Sequence, residues 1–366
     1  MAGGQEPHPL FGESTRPPMQ LPRYIQEFGG RNKVRMLVAT SFGSQSLRRS
    51  RGGGRGVVVV SAVVAVLAGA ILAVQVRVNG ALGAALGDAL VASAISFAVG
   101  LLGAAAVVVG SRKARRGFRL LHHAIATRRV RWWELLGGLS GVLYIFSQGL
   151  TGASLGAALF TVGVVAGQTL SSLIVDRLGW GPAGPITMTP TRLIAAALGL
   201  AAGLQAVVGG LAFADNLLLL AFPFAAGLSL AWQQAVNSTV AVVSEEPLGI
   251  TLINFALGAV LLAPAVLLLP SSRQALSGAW PSEVWIYSGG LFGVAFVVLA
   301  TVIVARSGVL VFGLASIGGQ LAVSVALDLL FPTGRPFQWT YLLAVVTAFS
   351  AAAIALPWRQ RTRSST

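Results

Sequence analysis

The chain has 366 residues, 55% of them hydrophobic and only 10% charged, with a mean hydropathy of +0.78. An ordinary soluble domain carries roughly 25% charged residues, so there is too little polar surface here to cover the apolar chain in water, and a soluble fold is excluded. The absence of cysteine removes disulfides, thiolate metal sites and cysteine nucleophiles, and His8, His122 and His123 all fall in segments read as extramembrane, so neither a metal centre nor a histidine proton relay is expected.

Residues 1–56 are dominated by Gly, Arg, Pro, Ser and Gln and sustain no helical periodicity. They are expected to form a disordered basic cytoplasmic tail, with Met19 and Met36 as alternative starts. Apolar runs follow near residues 57–78, 89–110, 134–152, 155–175 and 191–212, and a second set near 217–237, 249–269, 283–304, 308–329 and 339–357. A hydrocarbon core of roughly 30 Å needs about 20 helical residues, so each run can span it. The expectation is an all-α membrane protein of about ten transmembrane helices, with a first half over 57–212, a second over 213–357 and a short cytoplasmic tail over 358–366. No cleavable signal peptide is recognised, which gives the first span the role of an uncleaved anchor.

The net charge of +15 invites a nucleic-acid partner, but its distribution points elsewhere. With the N-terminus inside, 23 of the 26 Lys and Arg residues fall on the cytoplasmic side; Arg273 and Arg335 alone fall outside, and Arg77 lies within the first span. Such asymmetry is a topology signal. It predicts a multi-pass protein of the cell (cytoplasmic) membrane with both termini cytoplasmic and no nucleic acid bound. Trp132, Trp133, Trp180, Trp285, Trp339 and Trp358 sit at span edges, as an aromatic belt does.

The chain also repeats itself. Residues 68–100 fall on 226–258 at an offset of 158 without a gap, with 12 of 33 positions identical, among them Gln75 on Gln233, Asn79 on Asn237, and Phe97 on Phe255. At an offset of 152, residues 133–176 fall on 285–328, pairing Gly137 and Gly138 with Gly289 and Gly290, Gln168 with Gln320, and Asp176 with Asp328. The change of offset implies a shorter connection between the second and third helices of the second half. Five spans per half is an odd number, so the halves enter the membrane in opposite senses. These are inverted five-helix repeats, the architecture of many secondary transporters.

The pattern Gly69, Gln75, Asn79 and Ile95-Ser96-Phe97-Ala98-Val99-Gly100, repeated as Gly227, Gln233, Asn237 and Ile253-Asn254-Phe255-Ala256-Leu257-Gly258, resembles the YdcZ-like branch of the drug/metabolite transporter superfamily. The resemblance covers about residues 57–357 and implies a fused tandem of two five-helix units that transports a small solute, usually by export.

Polar residues inside the spans are the candidate substrate contacts. Gln75 and Asn79 share a helical face, as do Gln233 and Asn237. By helical rise, Gln75, Asn79, Ser96 and Gln320 are placed in the outer half of the membrane and Gln233, Asn237, Asn254 and Gln168 in the inner half, giving two matching clusters, one near each mouth. Each amide has two readings, interhelical hydrogen bonding or the lining of a solute path. Arg77 either snorkels to the outer interface or contacts an anionic solute. Asp88, Glu246, Asp176 and Asp328 fall at helix ends and are expected to be solvated caps or interface charges. With no acidic residue near a helix midpoint, a proton-coupled mechanism resting on an embedded carboxylate is disfavoured. No nucleophile–base pair or ligand set lies within the spans, so an enzyme, a cofactor and a metal are not expected. The alternative to a transporter is a membrane scaffold or accessory subunit.

Overall fold

The computed structural model describes residues 54–208, 217–330 and 339–356, apart from the side chains of 54–55, 148–162, 206–208, 217–218 and 328. The basic tail up to residue 53, the C-terminal tail, Arg335, Trp358 and the Asp328 side chain lie outside the described residues. All regular elements among the described residues are helical. Among the described residues, five helical segments are long and apolar enough to cross a membrane: Gly56–Leu86, Ala89–Gly110, Leu248–Leu268, Val284–Ser307 and Val309–Leu327.

Helix α1 (Gly54–Leu86) turns at Gly87, φ +67°, into α2 (Ala89–Gly110). Asp88 caps α2, accepting from the Leu90 amide at 2.8 Å and the Val91 amide at 2.9 Å, which satisfies two of the donors a helix start leaves open. The basic connection that follows, expected as a loop, is instead an amphipathic helix, α3 (Arg112–Ala126). Its buried residues Ala114, Gly117, Leu121 and Ala124 recur at three- and four-residue spacing, and the Arg and Lys side chains occupy the other faces. A hydropathy window averages this stripe away, which is why the segment reads as loop.

After a 3₁₀ turn at Trp132–Leu135 comes α4 (Gly138–Leu178), a single helical run of 41 residues, where two spans were expected. The Ser140 hydroxyl donates to the Ser229 carbonyl at 2.9 Å, and the Ser171 hydroxyl to the Leu228 carbonyl at 2.8 Å. In a straight helix Ser140 and Ser171 would be about 46 Å apart, so α4 must double back between them. Its two limbs run in opposite directions along α6 (Ala221–Ser244): Gly137 lies by Asn237 and Ser140 by Ser229, whereas Gly163 lies by Pro223 and Trp180 by Thr239.

The remaining helices are α5 (Pro190–Val208), α7 (Leu248–Leu268), α8 (Pro270–Ser277), α9 (Gly289–Ser307), α10 (Val309–Leu330) and α11 (Trp339–Ala355). Between α9 and α10 the chain breaks at Gly308, φ +81°. Asp176, from the end of α4, caps α10 there, accepting from the Val309 amide at 2.9 Å and the Leu310 amide at 3.1 Å. The same carboxylate pairs with Arg192 of α5, and both side chains are buried. Asp176 is therefore not the solvated charge expected from its place at a helix end. It is a buried tertiary cap whose neutralising partner lies 16 residues downstream.

The halves do not stand side by side. A Cβ on Gly69 of α1 would strike the Ser316 carbonyl of α10, and its repeat counterpart Gly227 of α6 stands in the same relation to the Val164 carbonyl of α4. Gly290 of α9 closes on the Ser96 backbone of α2, as Gly138 of α4 does on the Asn254 backbone of α7. In each contact, helices of one half pack into the other, and the pairs are related by the offsets of 158 and 152 found in the sequence. Small residues let the backbones approach where lipid provides no hydrophobic drive for helix association.

The connections cross over as well. Helix α3 of the first half docks on the α6–α7 turn of the second: Gly117 abuts Glu246 and the Ser244 carbonyl, and Leu121, Ala124, Val130, Val240 and Ile250 form one apolar cluster. The shorter α8 docks reciprocally on the α1–α2 turn. There the Ser272 hydroxyl donates to Asp88 at 2.7 Å, and Ala275 and Leu276 pack on Leu82, Leu86 and Val91.

Candidate functional site

Between the halves lies a cavity of about 330 Å³. Its deep part is built from repeat-related residues in pairs: Gln75 with Gln233, Ser96 with Asn254, and Phe97 with Phe255. Gly141 with Gly293 and Tyr144 with Phe296 continue the pairing. Phe97 and Phe255 meet at the pseudo-two-fold axis with ring centroids 5.4 Å apart and planes tilted by 48°.

The inner and outer clusters expected from the sequence are thus not separate. Gln75 and Ser96, assigned to one mouth, share a single cavity with Gln233 and Asn254, assigned to the other. The reason is helix length. Helix α1 continues to Leu86, eight residues past the end inferred from hydropathy, so Gln75 is 11 residues from the turn, as Gln233 is from Ser244. Both therefore stand about 16 Å from their helix ends, near the middle of a core about 30 Å thick.

Beyond this paired floor the symmetry is broken. Toward the α1–α2 turn the cavity extends along Asn79, Gly80, Gly83, Ala84, Ala89 and Ser93, and Gly80, Ala84 and Ala89 are exposed. None of their counterparts in the second half lines it. Asn237 is 2% exposed, and Ser238 and Thr251, the counterparts of Gly80 and Ser93, are 0% exposed. At that end Ser238 donates to the Thr301 carbonyl at 2.8 Å, and α3 seals the turn. The cavity reaches one end of the helix bundle and is closed at the other.

Of the other expected contacts, Gln168 sits in a crevice between α4 and α10 beside Ser172 and Leu310, and Gln320 is half-buried on α10 where its backbone meets α1 at Gly69. Neither lines the cavity, and nor does Arg77, half-buried on α1. Ser93, Tyr144 and Phe296 line it without having been singled out from sequence. The signal for them was present: the offsets place Thr251 opposite Ser93 and Phe296 opposite Tyr144, matching chemistry without identity.

Electrostatically the cavity is neutral. Among the described residues that line it, none is acidic or basic, and no group of three or more potential metal ligands occurs. Its polar character comes from amides and hydroxyls. Asn254 is 2% exposed, and neither its Oδ1 nor its Nδ2 has a hydrogen-bond partner within the protein; Asn79 Oδ1 and Asn237 Oδ1 are also unpartnered. At the closed end, outside the spanning segments, burial raises the pKa of Glu246, opposed by the Leu248 and Gly249 amides and by Lys113. This carboxylate, expected to be solvated, is instead buried beneath α3.

Interlocked inverted halves around an axial cavity are an architecture that many multi-pass secondary transporters share. The family described as "Putative inner membrane exporter, YdcZ" matches residues 60–204 and again 218–354, and the chain belongs to that family as a tandem of two units. One solved structure, described as "Crystal structure of protein", is similar in fold, with a TM-score of 0.55 at 19% identity over 82% of this chain and 97% of the other. No curated protein sequence matches the chain.

Proposed function

We propose that this protein is a secondary exporter of a small solute, crossing the membrane ten times with both termini cytoplasmic and working by alternating access between its two inverted halves. The one-sided arm on a symmetric cavity floor carries the reading. Two halves of equivalent design can pack in two related ways, and each way opens one end at the expense of the other. The 23-to-2 distribution of Lys and Arg assigns the α1–α2 end to the outside, which makes this arrangement outward-open. Gln75, Gln233, Ser96 and Asn254 hold the solute in both states. Asn79 meets it on the outer path and Asn237 on the inner path once that end opens. Gln168 and Gln320 serve as packing contacts, and Arg77 as an interface charge. The chemistry is binding and release, with no covalent step, cofactor or metal.

The test uses the absence of native cysteine. Gly80 has open space where a Cβ would stand, and Ser238, its counterpart, differs from cysteine by one atom. Gly80→Cys and Ser238→Cys are labelled separately with a membrane-impermeant maleimide in vesicles of each orientation. Gly80→Cys is expected to label fast from outside and Ser238→Cys slowly from inside, with a transported solute moving the two rates in opposite directions. Rates that rise together, or that no solute in a broad panel alters, would leave the scaffold reading in place of this one.

A further inference from the structure

We infer that the cavity selects an uncharged solute bearing an amide-type edge, with a hydrogen-bond acceptor beside a donor, on a flat apolar body. The inference deepens the transport reading, on which it relies for the route by which the solute enters and leaves.

The first observation is the Asn254 side chain. It lines the cavity, is 2% exposed, and leaves both its oxygen and its nitrogen without a partner in the protein. A buried carboxamide kept for packing between helices would be expected to find partners, because leaving its groups unmade costs free energy. A primary amide presents one acceptor and two donors, with acceptor and donor side by side. Its complement is another group with donor and acceptor adjacent: a carboxamide, a lactam, a ureide or the amide edge of a heterocycle. Asn79 also lines the cavity, and its Oδ1, set against Gly289, is likewise an acceptor without a partner. The repeat counterpart of Asn254 is Ser96, so this edge lies on one side of the axis only and fixes the orientation of what it binds.

The second observation is charge. No acidic or basic side chain lines the cavity among the described residues, so an ion placed there would lose hydration with no countercharge to replace it. A neutral solute avoids that cost. The third is shape. Phe97, Phe255 and Phe296 line the same cavity as Asn254, and aromatic rings such as the tilted Phe97–Phe255 pair accept a flat apolar body by edge-to-face or offset contact.

Isosteric trios separate charge from shape. Benzamide, benzoate and benzamidinium share one outline, as do the corresponding indole-3-carboxamide, carboxylate and amidinium. Saturable binding of each to the purified full chain is measured at equilibrium by ligand-observed NMR at neutral pH. The carboxamide of at least one body is expected to bind about tenfold or more tighter than both of its ionic partners. Asn254→Leu is expected to melt at higher temperature than the wild type, since an unpartnered amide is gone, while losing about tenfold or more in carboxamide binding. Asn254→Ser, which installs the residue of the other repeat, is expected to lose that binding too and guards against a folding failure of the first variant. An ionic partner that matches its carboxamide, an absence of carboxamide binding in both trios, or full binding to both variants overturns the inference. Carboxamide binding without flux in proteoliposomes would sustain this inference and count against transport. Flux of an ionic solute with no carboxamide binding would do the reverse.

Discussion

The two ends of the helix bundle are built from repeat-related residues and have become different objects. At the α1–α2 end, Gly80, Ala84 and Ala89 are exposed and the cover is α8, eight residues held by Ser272 on Asp88. At the α6–α7 end, Ser238 and Thr251 are fully buried and the cover is α3, fifteen residues long, with Asp176 and Arg192 locked beneath the start of α10. Between the ends, the cavity floor and the glycine contacts keep the two-fold relation. If the halves alternate as proposed, the middle is the part they share in either state and the ends are where the states differ, with the connections between helices setting how firmly each end is held.

This comparison can be broken most severely at Arg192. Replacing it by Leu leaves Asp176 charged and buried without its partner, and an uncompensated buried charge costs about 3–5 kcal/mol. A sharp loss of thermal stability in detergent is expected for Arg192→Leu, largely restored in Asp176→Asn/Arg192→Leu; equal stability of single and double variants would contradict the pairing. The symmetric middle gives the next largest effect. Gly69→Val and Gly227→Val each drive a side chain into a backbone carbonyl of the other half, at a cost on the order of 3 kcal/mol. The two should be destabilised alike, measured by the fraction of monodisperse protein, although one lies in the half that bears the open end; a large difference between them would mean the middle is not symmetric.

Gly117→Leu probes the closed end itself. A Cβ there meets the Glu246 side chain, at 3.0 Å from its Cγ and 3.3 Å from the Ser244 carbonyl, so α3 should lift at a cost of about 1–3 kcal/mol. The expected result is faster labelling of Ser238→Cys from the inner side with Gly80→Cys unchanged; unaltered labelling would show that α3 does not hold that end shut. The smallest effect concerns Glu246. Burial raises its pKa in the folded protein, so the folded state binds this proton more tightly than the unfolded chain and is weakened as pH rises through the raised value. Glu246→Gln should therefore melt above the wild type at neutral and alkaline pH. That gap should close as pH falls through the raised value into the ordinary carboxylate range, and a gap that widens in acid would reverse the sign assigned to burial.

Much of this could be read from residues in a row. Low charge and long apolar runs identify a membrane protein because lipid admits few charged side chains and needs about 20 residues per crossing. The two offsets, with Gln75 on Gln233 and Gly138 on Gly290, located the repeats and the polar positions, because matches among polar residues and glycines seldom arise from apolar composition alone. What the sequence could not settle was depth and partnership. Hydropathy ended α1 near residue 78, and only the helix to Leu86 brings Gln75 level with Gln233 in one cavity. It treated 112–126 as loop because an amphipathic stripe averages to polarity, and the use of that stripe depends on a turn more than a hundred residues away. Asp176 looked like a solvated end charge because Arg192 and the amides of Val309 and Leu310 meet it only in three dimensions. The period of a helix and its affinity for lipid are local properties of the chain. Which end is open, and which amide is left without a partner, depends on how two nearly equal halves pack, and that is fixed only when all of the helices are in place.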